Sequence, residues 1–453
     1  MANWKSTRIG KFLKEREGRY DPADSNIQSL KRLNKIDFSG EIHLSDKDSK
    51  TDMIIVEPGD LVISGINVSK GALAVYHGKE PVTATIHYSS YIFDKSQIEI
   101  EYFKRFVKSE AFVKALKEQV KGGIKTEIKP KHFLPLEIDL PDIEEQGIIV
   151  SFFQNIENEM KLLNENINQQ QDYLKKLRQQ ILQEAIEGKL TADWRNKNPK
   201  LISGENHASK LLEKIKAEKA RLIKEGKIKK EKPLAPITNN DKSFEIPDSW
   251  VWCCLGDICT KVTDGFHHTP RKFKEGAIYI SATHIREQGI DWKNCLYISA
   301  KDHAELFKKA YPQKGEILIT NRGAGCGTPA IIDINKEFSF QNAALIGFNQ
   351  NLLKAKYIFN FILRMREIVM AEFVNGGLQP MLSNVVLKTI PFPLPPQAEQ
   401  QAIVERIDKL MTMIDELEKQ VTERKDYSER LMQSVLREVF ENKPCERSMT
   451  AYK

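Results

Sequence analysis

Residues 149–181 read IVSFFQNIENEMKLLNENINQQQDYLKKLRQQI, and residues 403–435 read IVERIDKLMTMIDELEKQVTERKDYSERLMQSV. In the first stretch Ile149, Phe153, Ile156, Met160, Leu163, Ile167, Gln170, Leu174, Leu177 and Ile181 follow at alternating steps of four and three. The second repeats those steps through Ile403, Ile407, Leu410, Ile414, Leu417, Val421, Arg424, Ser428, Leu431 and Val435. Apolar residues at this spacing line one stripe of an α-helix, and a stripe held over several heptads is a coiled-coil seam. Gln170 and Arg424 interrupt the two seams at the same place, as register-setting residues do. Helices over 143–187 and 397–441 would each be about 67 Å long. Asp142 with Glu145 caps the first, Gly188 stops it, and Pro395-Pro396 marks the start of the second. Two separate amphipathic helices would carry the same stripes, but matched seams favour pairing. Heptads alone leave the choice of parallel or antiparallel open.

Outward from the helices, the whole chain repeats. Pro58-Gly59-Asp60-Leu61-Val62-Ile63-Ser64 overlies Lys314-Gly315-Glu316-Ile317-Leu318-Ile319-Thr320 at an offset of 256, running on to Gly71–Val75 over Gly327–Ile331. Further along the offset is 254: Gly122-Gly123 on Gly376-Gly377, Leu140-Pro141 on Leu394-Pro395, and Glu145-Gln146 on Glu399-Gln400. At the front Trp4 and Gly10 fall on Trp250 and Gly256. One unit is used twice. Ahead of each long helix the pattern is α+β. Short strands are expected at 54–56, 61–63, 74–76, 278–280, 317–319 and 331–332, and helices at 102–120 and 354–374, each closed by Gly-Gly. Residues 208–230 read as a basic amphipathic helix, followed by a linker through Pro233, Pro236 and Asn239-Asn240-Asp241.

Composition bounds what remains. The 453 residues suit two or three domains, with 29% charged and 41% hydrophobic residues. No apolar run is long enough to span a bilayer, and MANWKSTRIGKF has no apolar signal core. Six cysteines are too few for a disulfide framework in so long a chain. These features point to a cytoplasmic protein without membrane contact. The net charge of +7 suggests nucleic acid until it is located: residues 200–232 alone carry +6. Bulk charge is therefore no argument for DNA.

Catalytic motifs are missing. None of the four Gly-Lys pairs is followed by Ser or Thr, so no Walker loop is present. The Pro-Pro-aromatic tetrad of amino-methyltransferases and a Gly-rich dinucleotide turn are also missing. Cys253, Cys254 and Cys259 lie near His267 and His268, but without a Cys-x-x-Cys pair they read as buried free thiols, and no metal site is expected.

The stretch Ile390-Pro391-Phe392-Pro393-Leu394-Pro395-Pro396-Gln397-Ala398-Glu399-Gln400 resembles the specificity subunit of type I restriction–modification enzymes. So do Leu190-Thr191-Ala192-Asp193-Trp194-Arg195, the segment Asn198 to Asn206, Leu255-Gly256-Asp257-Ile258 and Thr263 to Pro270. The first half departs in its proline exit, Leu140-Pro141-Asp142. The resemblance implies two α+β target recognition domains separated by two long helices pairing as an antiparallel coiled coil, a pseudo-two-fold repeat. It divides the chain into recognition domain 1 at 1–140, a spacer helix at 141–190, a basic connector at 191–245, recognition domain 2 at 246–393, a second spacer helix at 394–441 and a tail at 442–453. It further implies no chemistry in this chain and no cofactor on it. S-adenosylmethionine, ATP and Mg would belong to two methyltransferase subunits and to motor-nuclease subunits. The DNA target would be double-stranded, bipartite and asymmetric, read one half per domain across a gap set by helix length.

Base reading needs donors and acceptors held at a groove by a rigid frame. The loops after the matched strands diverge, which nominates Ser64, Asn67 and Lys70 in the first half against Asn321 and Arg322 in the second. Arg322 leads, since a guanidinium on guanine is the commonest specific contact. Tight glycine turns explain these loops nearly as well. A second group is His267, His268, Arg271, Lys272, Thr283, His284 and Arg286, which a solvated loop also explains. A third is Lys125 against Gln379 in the Gly-Gly loops, where helix capping is the commoner role. The basic stretch to Lys232 suits phosphates, a partner subunit or plain solvation. Two rival readings stand beside a specificity subunit. One is the recognition part of a single-chain restriction–methylation enzyme, against which both repeats being present argues. The other is a coiled-coil scaffold without a nucleic-acid role, against which the divergent polar loops argue.

Overall fold

A computed structural model describes residues 4–47, 49–70, 72–119, 129–266, 269–323, 325–374 and 382–441. The chain divides into two compact units, residues 1–169 with 421–453, and residues 170–420. Each unit is a β-rich domain, and the two long helices α4 and α11 described below run antiparallel between them. Among the described residues no helix is long and apolar enough to cross a membrane.

The first unit holds strands β1 Lys5–Arg8, β2 Leu13–Glu15, β3 Arg32–Ile36, β4 Ile42–Ser45, β5 Met53–Val56, β6 Leu61–Ser64, β7 Leu73–Val75, β8 Val82–Thr85, β9 Tyr88–Phe93 and β10 Glu137–Leu140. Three short helices, α1 Ile100–Phe106, α2 Glu110–Gln119 and α3 Pro130–Phe133, precede α4, Ile143–Ile186. After α5 Ala192–Lys197 and α6 Ala208–Lys224, the second unit continues with β11 Val251–Cys254, α7 Leu255–Ile258, β12 Lys261–Asp264, β13 Ala277–Ile280, β14 Ile285–Arg286, β15 Gly289–Ile290, β16 Leu296–Ile298 and α8 Ala300–Ala310. It closes with β17 Ile317–Thr320, β18 Pro329–Ile331, β19 Phe338–Phe340, β20 Ala343–Gly347, α9 Ala355–Val374, α10 Asn384–Thr389, β21 Pro391–Leu394 and α11 Gln397–Glu441.

The repeat is visible strand by strand. Sheet β2-β9-β6-β7 has its counterpart in β12-β20-β17-β18, and ribbon β1-β10 in β11-β21. Leu61 pairs with Val75 as Ile317 pairs with Ile331. The glycine entering each central strand, Gly59 or Gly315, takes a left-handed φ of 91° or 86°, open to glycine without steric cost. The remaining strands differ: β4-β3-β8-β5 in the first unit, β16-β13-β19 and β14-β15 in the second. Each domain therefore joins a shared frame to its own second sheet.

A shared polar knot anchors each long helix to its domain. The wholly buried Gln146 accepts from the Glu99 amide at 2.8 Å and donates to the Gln97 and Pro141 carbonyls. Gln400 accepts from the Lys354 amide at 3.0 Å and donates to the Pro395 carbonyl. Trp4 Nε1 donates to Glu145 at 3.0 Å, and Trp250 Nε1 to Glu399 at 2.8 Å. The second copy adds Thr191 Oγ1 at 2.7 Å and Arg195 Nη1 at 2.5 Å, so Glu399 is fully buried whereas Glu145 is half-buried. Asp142 caps α4 through the Glu145 amide, while the Glu145 side chain turns to Trp4 instead of closing a capping box.

Contacts inside each unit give the helix direction. In the second, Arg178 of α4 pairs with Glu418 at 3.0 Å and with Asp415, while Arg195 beyond its C-terminus meets Glu399 near the start of α11. In the first, Phe153 stacks on Phe440 with centroids 5.7 Å apart. Phe440 also packs against Tyr102 and Phe106, inside a core with Phe12, Phe112 and Phe133. Later residues of α4 thus meet earlier residues of α11, as an antiparallel pair must. Seam burial is uneven. Ile149, Phe153, Ile167, Leu174, Ile181, Ile403, Ile407, Ile414, Val421 and Ser428 are buried; Ile156, Met160, Leu410 and Val435 are half-buried. Leu163, Leu177, Leu417 and Leu431 stay 40–45% exposed, and Gln170 and Arg424 are exposed too. In the middle of each helix only every seventh residue is covered.

Two helix expectations need correction. Residues 102–120 do not form one helix: the chain breaks after Phe106, where Ser109 donates to the Phe106 carbonyl and caps α2 through the Phe112 amide. A serine that satisfies backbone groups locally competes with helix continuation. The basic helix ends at Lys224 instead of 230, because Gly226 takes φ 70° and the Lys227 amide turns back to the Leu222 carbonyl.

Candidate nucleic-acid interface

In the first unit the loop leaving β6 is a compact turn. The Asn67 amide donates to the Ser64 carbonyl, and the Asn67 carbonyl accepts from Lys70 and Ala72. Ser64 is buried, Asn67 half-buried and Lys70 exposed, its ammonium 5.5 Å over the ring of Phe38. Phe38 is 55% exposed, a large aromatic beside a cation. Such a pair offers a stacking face and a charge together.

The equivalent loop of the second unit starts at Asn321, which is 8% exposed. Its amide donates to Asn342, its carbonyl accepts from Leu382, and its Nδ2 donates to Asp264 at 3.2 Å. Asn342 takes a left-handed φ of 54°, a conformation asparagine tolerates. Arg322 follows, exposed and without an ion-pair partner among the described residues. Asn321 holds the loop to the sheet while Arg322 is presented at its surface.

The other nominated residues divide between surface and structure. Arg271 and Lys272 are exposed, the guanidinium 5.7 Å over Phe273. Thr283 is exposed, and Arg286 is exposed but paired with Asp291 at 2.9 Å. His284 is buried. Its Nδ1 faces the Ser281 amide and hydroxyl, and its Nε2 lies 2.9 Å from the Asn294 carbonyl, so both ring nitrogens are engaged. Lys125, His267, His268 and Gln379 lie outside the described residues. Phe38, Asp264 and Gln341, which accepts a 3.2 Å bond from Thr269, belong to these surfaces but were not nominated from sequence. Only the pairing of distant strands brings them there.

Behind each loop a buried carboxylate opens the central strand. Asp60 takes a bidentate grip from Arg16 and bonds from Ser90 and the Glu57 amide. Its counterpart Glu316 pairs with Lys261 at 2.9 Å, and Lys261 also reaches the Ala310 and Tyr311 carbonyls. Burial pushes the Glu316 carboxyl up and the Lys261 ammonium down. Each group here is costly to desolvate and affordable only with its partner. K261M alone is therefore expected to destabilise the second unit by about 3 kcal/mol. K261M/E316L should recover most of that loss in chemical denaturation.

Elsewhere the chemistry is closed. Burial holds the Cys253 and Cys254 thiols above their usual range and pushes Cys259 up to about 12, which favours protonated thiols over metal ligands. Asp37, Glu41 and His43 bring ligand-type atoms within 4.8 Å of one another, but Asp37 is already occupied by Ser39, the Glu41 amide and His43. That cluster closes the β3–β4 hairpin.

Comparison with known proteins gives consistent matches. The profile of the family "Type I restriction modification DNA specificity domain" matches residues 247–424. The specificity subunit of the type I restriction enzyme EcoAI from Escherichia coli is 32% identical over 257 residues, covering 53% of this chain and 40% of that protein. The matched chain thus spans less than half of that relative. A chain from a structure described for complex assembly and conformational transition of the type I R-M system superposes with a TM-score of 0.56 at 16% identity, covering 96% of this chain and 97% of its own. The HsdS subunit from Thermoanaerobacter tengcongensis superposes with a TM-score of 0.51 at 16% identity, covering 96% of each chain. At such identities the two structures establish the fold: two β-rich domains joined by long antiparallel helices.

Proposed function

We propose that the chain is a specificity subunit of the type I restriction–modification kind, supported by the family match over residues 247–424 and by the specificity-subunit relatives, and that it reads a split, asymmetric DNA site, one half with each domain. It carries out no chemistry itself. It holds two methyltransferase subunits and positions motor-nuclease subunits in the cytoplasm, and S-adenosylmethionine, ATP and Mg belong to those partners. The observation that carries this reading is the duplicated frame with unlike polar ends: β6 leads to Asn67 and Lys70, while β17 leads to Asn321 and Arg322. Two copies of one sequence surface would read a palindrome; two different surfaces read two different half-sites. The exposed residues Lys70, Arg271, Lys272, Thr283, Arg286 and Arg322 are the base and phosphate contacts in this reading. Ser64, Asn67 and Asn321 shape the loops, and His284 shapes the turn beside Arg286. Lys125, His267, His268 and Gln379 are further candidate contacts by their place in sequence alone. The exposed leucines of α4 and α11 supply the methyltransferase docking stripe.

The test is selection of bound duplexes from a random pool by the chain purified with its partners. Arg322→Ala is expected to relax preference at one base pair of one half-site, by about 1–3 kcal/mol, leaving the other half unchanged. Equal binding of all duplexes by the unaltered protein at moderate salt contradicts the reading.

A further inference from the structure

The connector carries almost all of the chain's excess positive charge, and its course shows where that charge is held. Helix α6 docks on the second domain through buried Ala208, Leu211 and Ile215, and Lys219 Nζ donates to the Gly256 carbonyl at 2.7 Å. Beyond Gly226 the chain is irregular, yet it is fixed again downstream. The Ala235 carbonyl receives the Cys254 thiol, and Leu234 lies where any side chain at Gly256 would stand. Residues 227–232 between these anchors read Lys-Ile-Lys-Lys-Glu-Lys, all four lysines exposed. Lys227 pairs with Glu225, and Glu231 with Lys388 of α10 at 2.7 Å. Lys224, Lys229, Lys230 and Lys232 have no ion-pair partner among the described residues.

The Lys388–Glu231 pair places this segment. Lys388 lies near the end of α10, whose start is capped by Ser383. The neighbouring Leu382 amide bonds the Asn321 carbonyl at the base of the Arg322 loop. One six-residue helix, about 9 Å long, therefore separates the lysine segment from the foot of that loop. No large hydrophobic residue is exposed between residues 224 and 232, so the patch lacks the apolar centre of a protein interface. A pinned row of unneutralised lysines beside a base-reading loop has the chemistry of a phosphate contact.

We propose that Lys229, Lys230 and Lys232 grip the DNA backbone flanking the half-site read by the second domain. The inference rests on the DNA-reading proposal above and adds a sequence-independent contact to it. Such contacts release counterions, and each phosphate neutralised steepens the fall of log affinity with log salt by about 0.9.

The experiment measures binding of the full chain, unaltered and as K229Q/K230Q/K232Q, across a salt series. The probes are a duplex bearing the site selected by the unaltered chain and a duplex of scrambled sequence. The variant is expected to lower the salt slope by about 2–3 on both duplexes, with the ratio between them kept within about twofold. K229R/K230R/K232R, which keeps the charge, should restore the slope. An unaltered slope in the glutamine variant overturns the inference, and if a co-purifying protein is lost instead, the lysines face that protein. Absence of any selected site with the unaltered chain overturns the DNA-reading proposal itself, a result distinct from an unchanged slope.

Discussion

Glu399→Ala is expected to destabilise the second unit by about 3–5 kcal/mol. The carboxylate is fully buried and serves three donors at once: the Trp250 indole, the Thr191 hydroxyl and the Arg195 guanidinium. Removing it takes the ion pair from a guanidinium whose side chain is only 15% exposed, leaving it the Gly188 carbonyl and the Thr191 hydroxyl, and it takes the acceptor from two neutral donors. The same change in the first repeat should cost far less. Glu145 is half-buried and its side chain accepts a 3.0 Å bond from Trp4, so E145A is expected to cost about 1 kcal/mol. Chemical denaturation of the two variants side by side tests this directly. Equal losses would mean that the connector's dock on Glu399 adds nothing to the shared knot.

The second large effect concerns the spacing of the domains. Adding one heptad to α4 between Asn164 and Gln171, and a matching heptad to α11 between Val421 and Ser428, keeps both stripes in phase. Each helix grows by about 10 Å, close to three base pairs of duplex. The lengthened protein is expected to lose the original site almost completely and to select the same two half-sites across a wider gap. Methylome sequencing reads both changes together. An unchanged gap would show that the helices do not set the spacing.

The helices and the repeated frame are legible in sequence because they repeat there. Leu61-Val62-Ile63 and Ile317-Leu318-Ile319 are buried runs entered by a left-handed glycine, and the heptads give the stripe of each helix. Direction is not in the heptads. It comes from pairs such as Arg178 with Glu418, 240 residues apart. The second sheets are only partly legible: β5 and β13 stand out as apolar runs, but their sheet neighbours β8, β16 and β19 are strands that the repeat does not place. The break after Phe106 depends on one serine hydroxyl, which composition does not distinguish from a helical serine. Gly226, by contrast, is a stop signal in the sequence itself, followed by a basic run of the same composition as the helix.

The candidate surface was less legible for a related reason. Polar side chains that face solvent and those that tie loops together are the same residue types. Asn321 and His284 spend their polar groups inside the domain, while Arg322 and Thr283 beside them face outward. Phe38 reaches the surface near Lys70 only through folding of the β3–β4 hairpin. Divergence of residues at constant spacing in the repeat marks which loops differ, and the fold decides which of their residues are free to meet a ligand.

The central claim is that each domain reads one half of a split site. Exchanging residues 1–140 for the corresponding segment of another family member, followed by methylome sequencing, tests it most directly. The account predicts new bases in one half-site, with the other half-site and the gap retained. New bases in both halves, or in neither, would contradict it.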